Sequence, residues 1–172
     1  REEFFAEVAR NAGQSLDNSA KKEWLWKGRR VLAYDGSTGA DAALEKAVEL
    51  CNLAGAELVV LTVYRHHSIL EASLSMVRGN EEPAKNLDDT MRAAAREAAE
   101  QAKAYALGNG VANVHAFIKG GPSARTIVSF SNDKDCDLIV VGSRGLGASE
   151  GYMLGSVSHK VTSITSIPVL VV

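Results

Sequence analysis

The residues best suited to chemistry in this sequence lie between Val141 and Val157. Five glycines fall between Gly142 and Gly155, and Ser156 follows the last of them. Glycine has no Cβ, so backbone N–H groups can turn inward and an anion can approach them closely. A helix opening at Gly155-Ser156 adds free N–H donors and the positive end of its dipole, with Ser156 as the expected N-cap. This pattern suits non-covalent capture of a phosphate. A flexible linker between strand and helix is the competing reading of the same glycines. Asp35, in Asp35-Gly36-Ser37, is the second candidate. A carboxylate at a strand end can accept hydrogen bonds from ribose hydroxyls, or it can close an Asx-turn or cap before Ser37.

Other patterns fit their chemistry poorly. Gly147-Ala148-Ser149-Glu150-Gly151 has the form G-x-S-x-G, but a nucleophile elbow needs a strand running straight into the serine. The strand here ends at Val141, and no Asp or Glu separates Glu150 from the C-terminus as an acid partner for His159. Asp133, Asp135 and Asp137 alternate as a calcium loop begins, yet Leu138 and Arg144 stand where its glycine and glutamate belong. A solvated turn is expected there. Gly145-x-Gly147-x-x-x-Gly151 follows the fourth strand, whereas a dinucleotide fingerprint follows the first. His66 and His67 are neighbours and do not converge on a metal. His115 and His159 have no partner at ligand spacing. Cys51 and Cys136 read as buried core residues.

The elements that must position the two candidates alternate along the chain. Strands are expected at Arg30–Tyr34, Glu57–Tyr64, Val114–Ile118, Asp137–Val141 and Val169–Val172. Helices are expected at Asp41–Ala54, Leu87–Leu107, Ser123–Ser131 and Ser156–Ser166. Leu87, Met91, Ala94, Ala98, Ala102 and Tyr105 mark the expected buried stripe of the long helix. Near-continuous apolar strands suit a parallel sheet covered on both faces. The fold class is therefore α/β, a doubly wound five-stranded parallel sheet of Rossmann-like form. Ligands of such sheets bind beyond the carboxyl ends of the strands, where the strand order reverses. That edge carries Asp35-Gly36-Ser37, Tyr64-Arg65, Lys119-Gly120 and Gly142-Ser143-Arg144-Gly145. Residues 65–86 have the least regular pattern, with a short helix expected around Ile69–Val77 and a loop at Arg78–Pro83, and are the expected lid. Residues 1–28 read as a helical extension, with Phe4, Phe5, Val8 and Ala12 on one face, and residues 29–172 as the main domain.

Composition narrows the partners. With 172 residues, 46% of them hydrophobic and 23% charged, the chain can bury a core without staples. A net charge of -2 gives no basic footprint for nucleic acid. No apolar run is long enough to span a membrane, and residues 1–28 lack the apolar stretch of a signal peptide. Two cysteines make no disulfide framework, so a reducing, cytoplasmic setting is expected.

The sequence over residues 29–172 resembles the universal stress protein family, nucleotide-binding branch. The family pattern is Gly, two residues, Gly, nine residues, Gly, then Ser or Thr, met here by Gly142, Gly145, Gly155 and Ser156. The opening strand with Asp35-Gly36-Ser37, the DLIVVGSRG run and the closing Pro168-Val-Leu-Val-Val carry the rest of the likeness. The resemblance implies a fold like that of adenine nucleotide alpha hydrolases and a bound ATP or AMP. It places Ala33, Tyr34 and Asp35 on the sugar and adenine side, with Val63 offering backbone groups to the adenine. Val141, Gly142, Arg144 and Gly145 would surround phosphates and sugar, and Gly155, Ser156 and Val157 would hold phosphates. It also implies a homodimer through the final strand. Many family members carry Lys or Arg in the nine-residue gap. Here Glu150 stands in it and no basic residue lies between Leu146 and Leu154, so weak binding, fewer phosphates or a divalent cation such as Mg is expected. The function implied is a nucleotide-dependent regulator or binding module in stress response. The alternatives are a slow Mg-dependent ATPase and a docking module without nucleotide.

Overall fold

The computed structural model describes residues 28–64, 82–146 and 154–172, and for 82–87 the backbone alone. The expected N-terminal helix, the lid up to residue 81, His66, His67, Ser149 and Glu150 lie outside the described residues.

The chain forms β1 (Arg29–Ala33), α1 (Thr38–Ala54), β2 (Glu57–Tyr64), α2 (Glu82–Gly108), β3 (Val114–Gly120), α3 (Ser123–Asp133), β4 (Leu138–Val141), α4 (Ser156–Ile164) and β5 (Val169–Val171). The five strands make one parallel sheet in the order β3-β2-β1-β4-β5. The chain steps outward from β1 to β3, then crosses back to lay β4 against the other side of β1. The strand order therefore reverses between β1 and β4, and the loops leaving these two strands splay to opposite faces. Ala33 is in register with both Leu61 and Val141, so β1 and β4 end level while β2 runs on to Tyr64.

Each face of the sheet has its own core. Leu32, Leu58, Val60 and Val140 pack beneath α1 and α2. Val31, Val59, Leu61, Ile139 and Val141 pack beneath α3 and α4. These strand residues are almost wholly buried, each worth about 1.5–3 kcal/mol in apolar area removed from water. Cys51 and Cys136 sit in these cores as free thiols, and burial pushes both up to about 11.

Helix α1 begins at Thr38, three residues before the expected Asp41, because Ser37 caps it by accepting from the Ala40 N–H at 3.2 Å. Gly55 ends it in the left-handed conformation. The stripe of α2 is rotated from the expected one. Ala95, Ala99, Ala102 and Ala106 are buried, whereas Met91 and Tyr105 are 39% and 42% exposed. In an alanine-rich helix most faces look equally apolar. The sheet selects the run of small side chains that lets the helix axis come close.

At the opposite edge, Arg30 is buried inside β1 and ion-paired with Asp137. Asp135 takes φ 50° in the turn before β4. The aspartate alternation is thus a turn plus a structural ion pair. No helix among the described residues is long and apolar enough to cross a membrane.

Candidate functional site

The site is built where the loop after β1 meets the loop after β4. Asp35 follows β1 directly and its carboxylate joins the two loops. Oδ1 accepts from the Ser37 N–H at 3.1 Å and from the Ser37 hydroxyl at 2.6 Å. Oδ2 accepts from the Leu146 N–H at 3.4 Å. The Asx-turn is therefore present, but it occupies one oxygen. The other faces the glycine segment, and Asp35 itself is exposed.

Glycine sets how closely the loops approach. A Cβ on Gly142 would stand 2.6 Å from the backbone of Gly39. One on Gly145 would stand 2.6 Å from Asp35 Oδ2. One on Gly39 would fall on the Arg144 carbonyl oxygen. Part of the glycine content thus serves packing between loops. Gly39 is a site residue that sequence reasoning missed. The helix was expected to begin only at Asp41, so the sequence carried no signal of a close approach at Gly39.

The glycine segment closes on itself. The Gly155 N–H donates to the Ser143 carbonyl at 2.7 Å, and the Ser158 hydroxyl lies 3.0 Å from the carbonyls of both Ser143 and Gly155. The Ser143 N–H in turn donates to the Val172 carbonyl at 2.6 Å. The two ends of the excursion are thereby pinned together at the start of α4. Ser158 is 2% exposed and was also missed, being read only as part of a helix.

The start of α4 differs from the expectation. Gly155, not Ser156, is the N-cap, with φ -61° and ψ 158°, and no side chain caps the helix. Glycine serves as an N-cap nearly as well as threonine, so the Gly-Ser pair alone did not decide between them. Ser156 becomes the first helical residue and is exposed. Among the described residues no side chain caps the first-turn N–H groups, and no acidic residue stands in that turn. This is the arrangement that receives an anion.

The remaining candidates divide between the two faces. Ala33, Val63 and Val157 pack against the core under α3 and α4, with Val141 buried at the end of β4. Arg144 is half-buried, and its carbonyl lies 3.5 Å from the Ser37 hydroxyl. Tyr34 turns to the α1 face, where its hydroxyl donates to Asp41 Oδ1 at 2.6 Å. Only the backbone of Tyr34 belongs to the edge that Asp35 and Ser156 share.

Burial, then the bond to Asp41, pushes the Tyr34 phenol up from 10.0 to about 12. The folded chain holds this proton more tightly than the unfolded chain does. The resulting stability is full below pH 10 and is lost as pH rises through about 12. Tyr34→Phe is expected to flatten the alkaline arm of a urea-midpoint-versus-pH curve. An unchanged alkaline slope would assign the titration to another group.

A model described as the universal stress protein family matches residues 28–172. Universal stress protein YxiE of Bacillus subtilis is 35% identical over 145 residues, which is 84% of this chain and 97% of that protein. The solved universal stress protein UspA from Lactobacillus plantarum superimposes with a TM-score of 0.74 at 24% identity, covering 86% of this chain and 98% of that one. Two further solved structures share the fold and are described with nucleotides. One is a universal stress protein in complex with cAMP (TM-score 0.63, 24% identity, 84% and 96% covered). The other is a universal stress protein family protein from Arabidopsis thaliana with AMP bound (TM-score 0.55, 22% identity, 84% and 90% covered).

Proposed function

This chain belongs to the universal stress protein family, and we propose that it binds an adenine nucleotide, ATP or AMP, at the carboxyl edge of β1 and β4. One observation carries the reading. The Asp35 carboxylate and the uncapped first turn of α4 flank the same glycine segment at the point where the strand order reverses. In this reading Asp35 accepts hydroxyl hydrogen bonds from the ribose. The backbone of Val63 faces the adenine. Gly142, Arg144 and Gly145 border sugar and phosphate, and the N–H groups of Ser156 and Val157 hold the first phosphate. The relatives described with AMP and with cAMP support the choice of an adenine nucleotide. Magnesium would come with the phosphates. No cluster of three or more His, Cys, Asp or Glu able to hold a metal ion is found among the described residues.

The proposed role is regulatory. A bound nucleotide shifts an equilibrium between shapes or partners only through different affinity for the two states. Mass spectrometry of the small molecules released when the purified protein is denatured tests the binding. Intact adenine nucleotide is the expected result. No released nucleotide, together with no calorimetric binding of added ATP or AMP, would overturn the reading.

We also propose a homodimer through β5. This strand is three residues long, lies at a sheet edge and is half-buried, and unpaired apolar edges are usually covered. Light scattering at micromolar concentration is expected to give about twice the chain mass of 18.3 kDa; a single-chain mass would refute the dimer.

A further inference from the structure

The α3 side of β3 carries a strip of side chains that no helix covers fully. His115, Phe117 and Lys119 point to this side, being in register with Val59, Leu61 and Val63 of the core under α3 and α4. Helix α2 packs on the other side of β3, whereas α3 lies over β2. Phe117 is half-buried, with its ring centre 5.2 Å from that of Phe130 and 4.9 Å from the Lys134 ammonium. His115 is exposed and 3.4 Å from Glu57, which also pairs with Arg29 at 2.8 Å. The Arg29 guanidinium in turn donates to the Lys134 carbonyl at 2.6 Å. A row of charge at the starts of β1, β2 and β3 thus borders an aromatic ring with a cation over it. All of this lies at the end of the sheet away from the nucleotide edge. Among the described residues β3 pairs with β2 alone, so its outer edge is unpaired.

The entry of the chain supplies an occupant. It joins the sheet at Gly28, whose carbonyl accepts from the Glu57 N–H at 3.1 Å. Arg30 and Asp137 fill the space beside Gly28, where an added Cβ would meet both. Arg30 alternates with Arg29 and so belongs to the α1 side, which leaves the α3 side open to the residues before Gly28. Trp24 stands four positions before Gly28, a reach of about 14 Å in extended chain. β3 is two strand spacings from β1, about 10 Å. The chemistry matches the reach. Trp24 and Trp26 are the only tryptophans of the chain, and indole is the ring that best receives a cation such as Lys134. Glu23 precedes them with a charge opposite to that of Lys134.

We propose that Trp24 and Trp26 fold back onto this strip within the same chain, with an indole against Phe117 and Lys134 and Glu23 beside the Lys134 ammonium. The matched family model begins at residue 28, so this contact belongs to the segment that precedes the family domain. The seated segment shields the unpaired edge of β3 and leaves β5 as the edge open to a second chain.

Tryptophan fluorescence of the full chain tests this, because both indoles lie in the segment concerned. The unaltered protein is expected to emit to the blue of its urea-unfolded form and to resist acrylamide quenching. Phe117→Ser is expected to move the emission toward the unfolded position and to restore quenching, with circular dichroism showing that the fold is kept. Lys134→Glu, which leaves the strand untouched, is expected to give a smaller shift in the same direction and decides the matter if Phe117→Ser does not fold. Leu53→Ser and Leu107→Ser, at exposed positions of α1 and α2, should change neither reading.

Emission from the unaltered protein at the urea position would overturn the proposal. So would folded Phe117→Ser and Lys134→Glu proteins with unchanged emission, or an equal shift in the α1 and α2 controls. A red shift on dilution would seat the tryptophans on a second copy and overturn the docking within one chain.

Discussion

Gly39→Ala is expected to lower stability by about 3 kcal/mol or more, with a melting-temperature drop of about 6–12 °C. The added Cβ would fall on the carbonyl oxygen of Arg144, which belongs to the backbone of the loop after β4. A flexible side chain could swing aside from such a contact, but a carbonyl can yield only if the loop moves. That loop is held by the Ser143 bonds to Gly155 and Val172. The strain would then push the glycine segment away from Asp35, so nucleotide affinity should fall with stability. Two glycines serve as controls. Gly36 has φ +77° and nothing within 4 Å of a built Cβ, so Gly36→Ala should cost only the left-handed backbone penalty, about 1 kcal/mol. Gly108 has open space and no positive φ, so Gly108→Ala should be near neutral. Equal melting temperatures for Gly39→Ala and Gly108→Ala would remove close packing as the reason for glycine at position 39.

Asp35→Ala is expected to give the largest loss of nucleotide affinity, about a hundredfold, from two hydroxyl bonds to a charged acceptor. It also removes the acceptor of Ser37 and Leu146, so some of the loss would come from a loosened loop. A double cycle separates the two. Calorimetry with AMP and with its 2′,3′-dideoxy analogue is run on both proteins. If Asp35 binds the ribose, removing the hydroxyls should weaken binding to the native protein strongly and to Asp35→Ala hardly at all. An analogue that loses the same affinity on both proteins would mean that Asp35 only braces the loops.

The alternation of strands and helices was legible because each strand is a run of apolar residues bounded by turn residues. Glu57–Tyr64 emerged with the bounds expected of it, and Val169–Val171 lost one residue. The reading was weaker where side-chain identity carries little information. In α2 the alanines at positions 94, 95, 98 and 99 are equivalent by type, and only packing against β2 and β3 selected Ala95 and Ala99 for burial. The Gly155-Ser156 pair was legible as a helix start, while the choice of cap residue depended on how Ser143 and Ser158 pinned the loop.

The sequence by itself determined the element order, the parallel α/β class and the density of glycine after β4, since all three are local patterns of residue type along the chain. Only the tertiary structure decided that residues 35–39 and 142–146 face each other, because the order β3-β2-β1-β4-β5 brings segments more than 100 positions apart to one edge. The close fit of Gly39 against Arg144 and the carboxylate of Asp35 reaching the Leu146 N–H both follow from that placement. Such contacts depend on strand order, and no local spacing of residues encodes them.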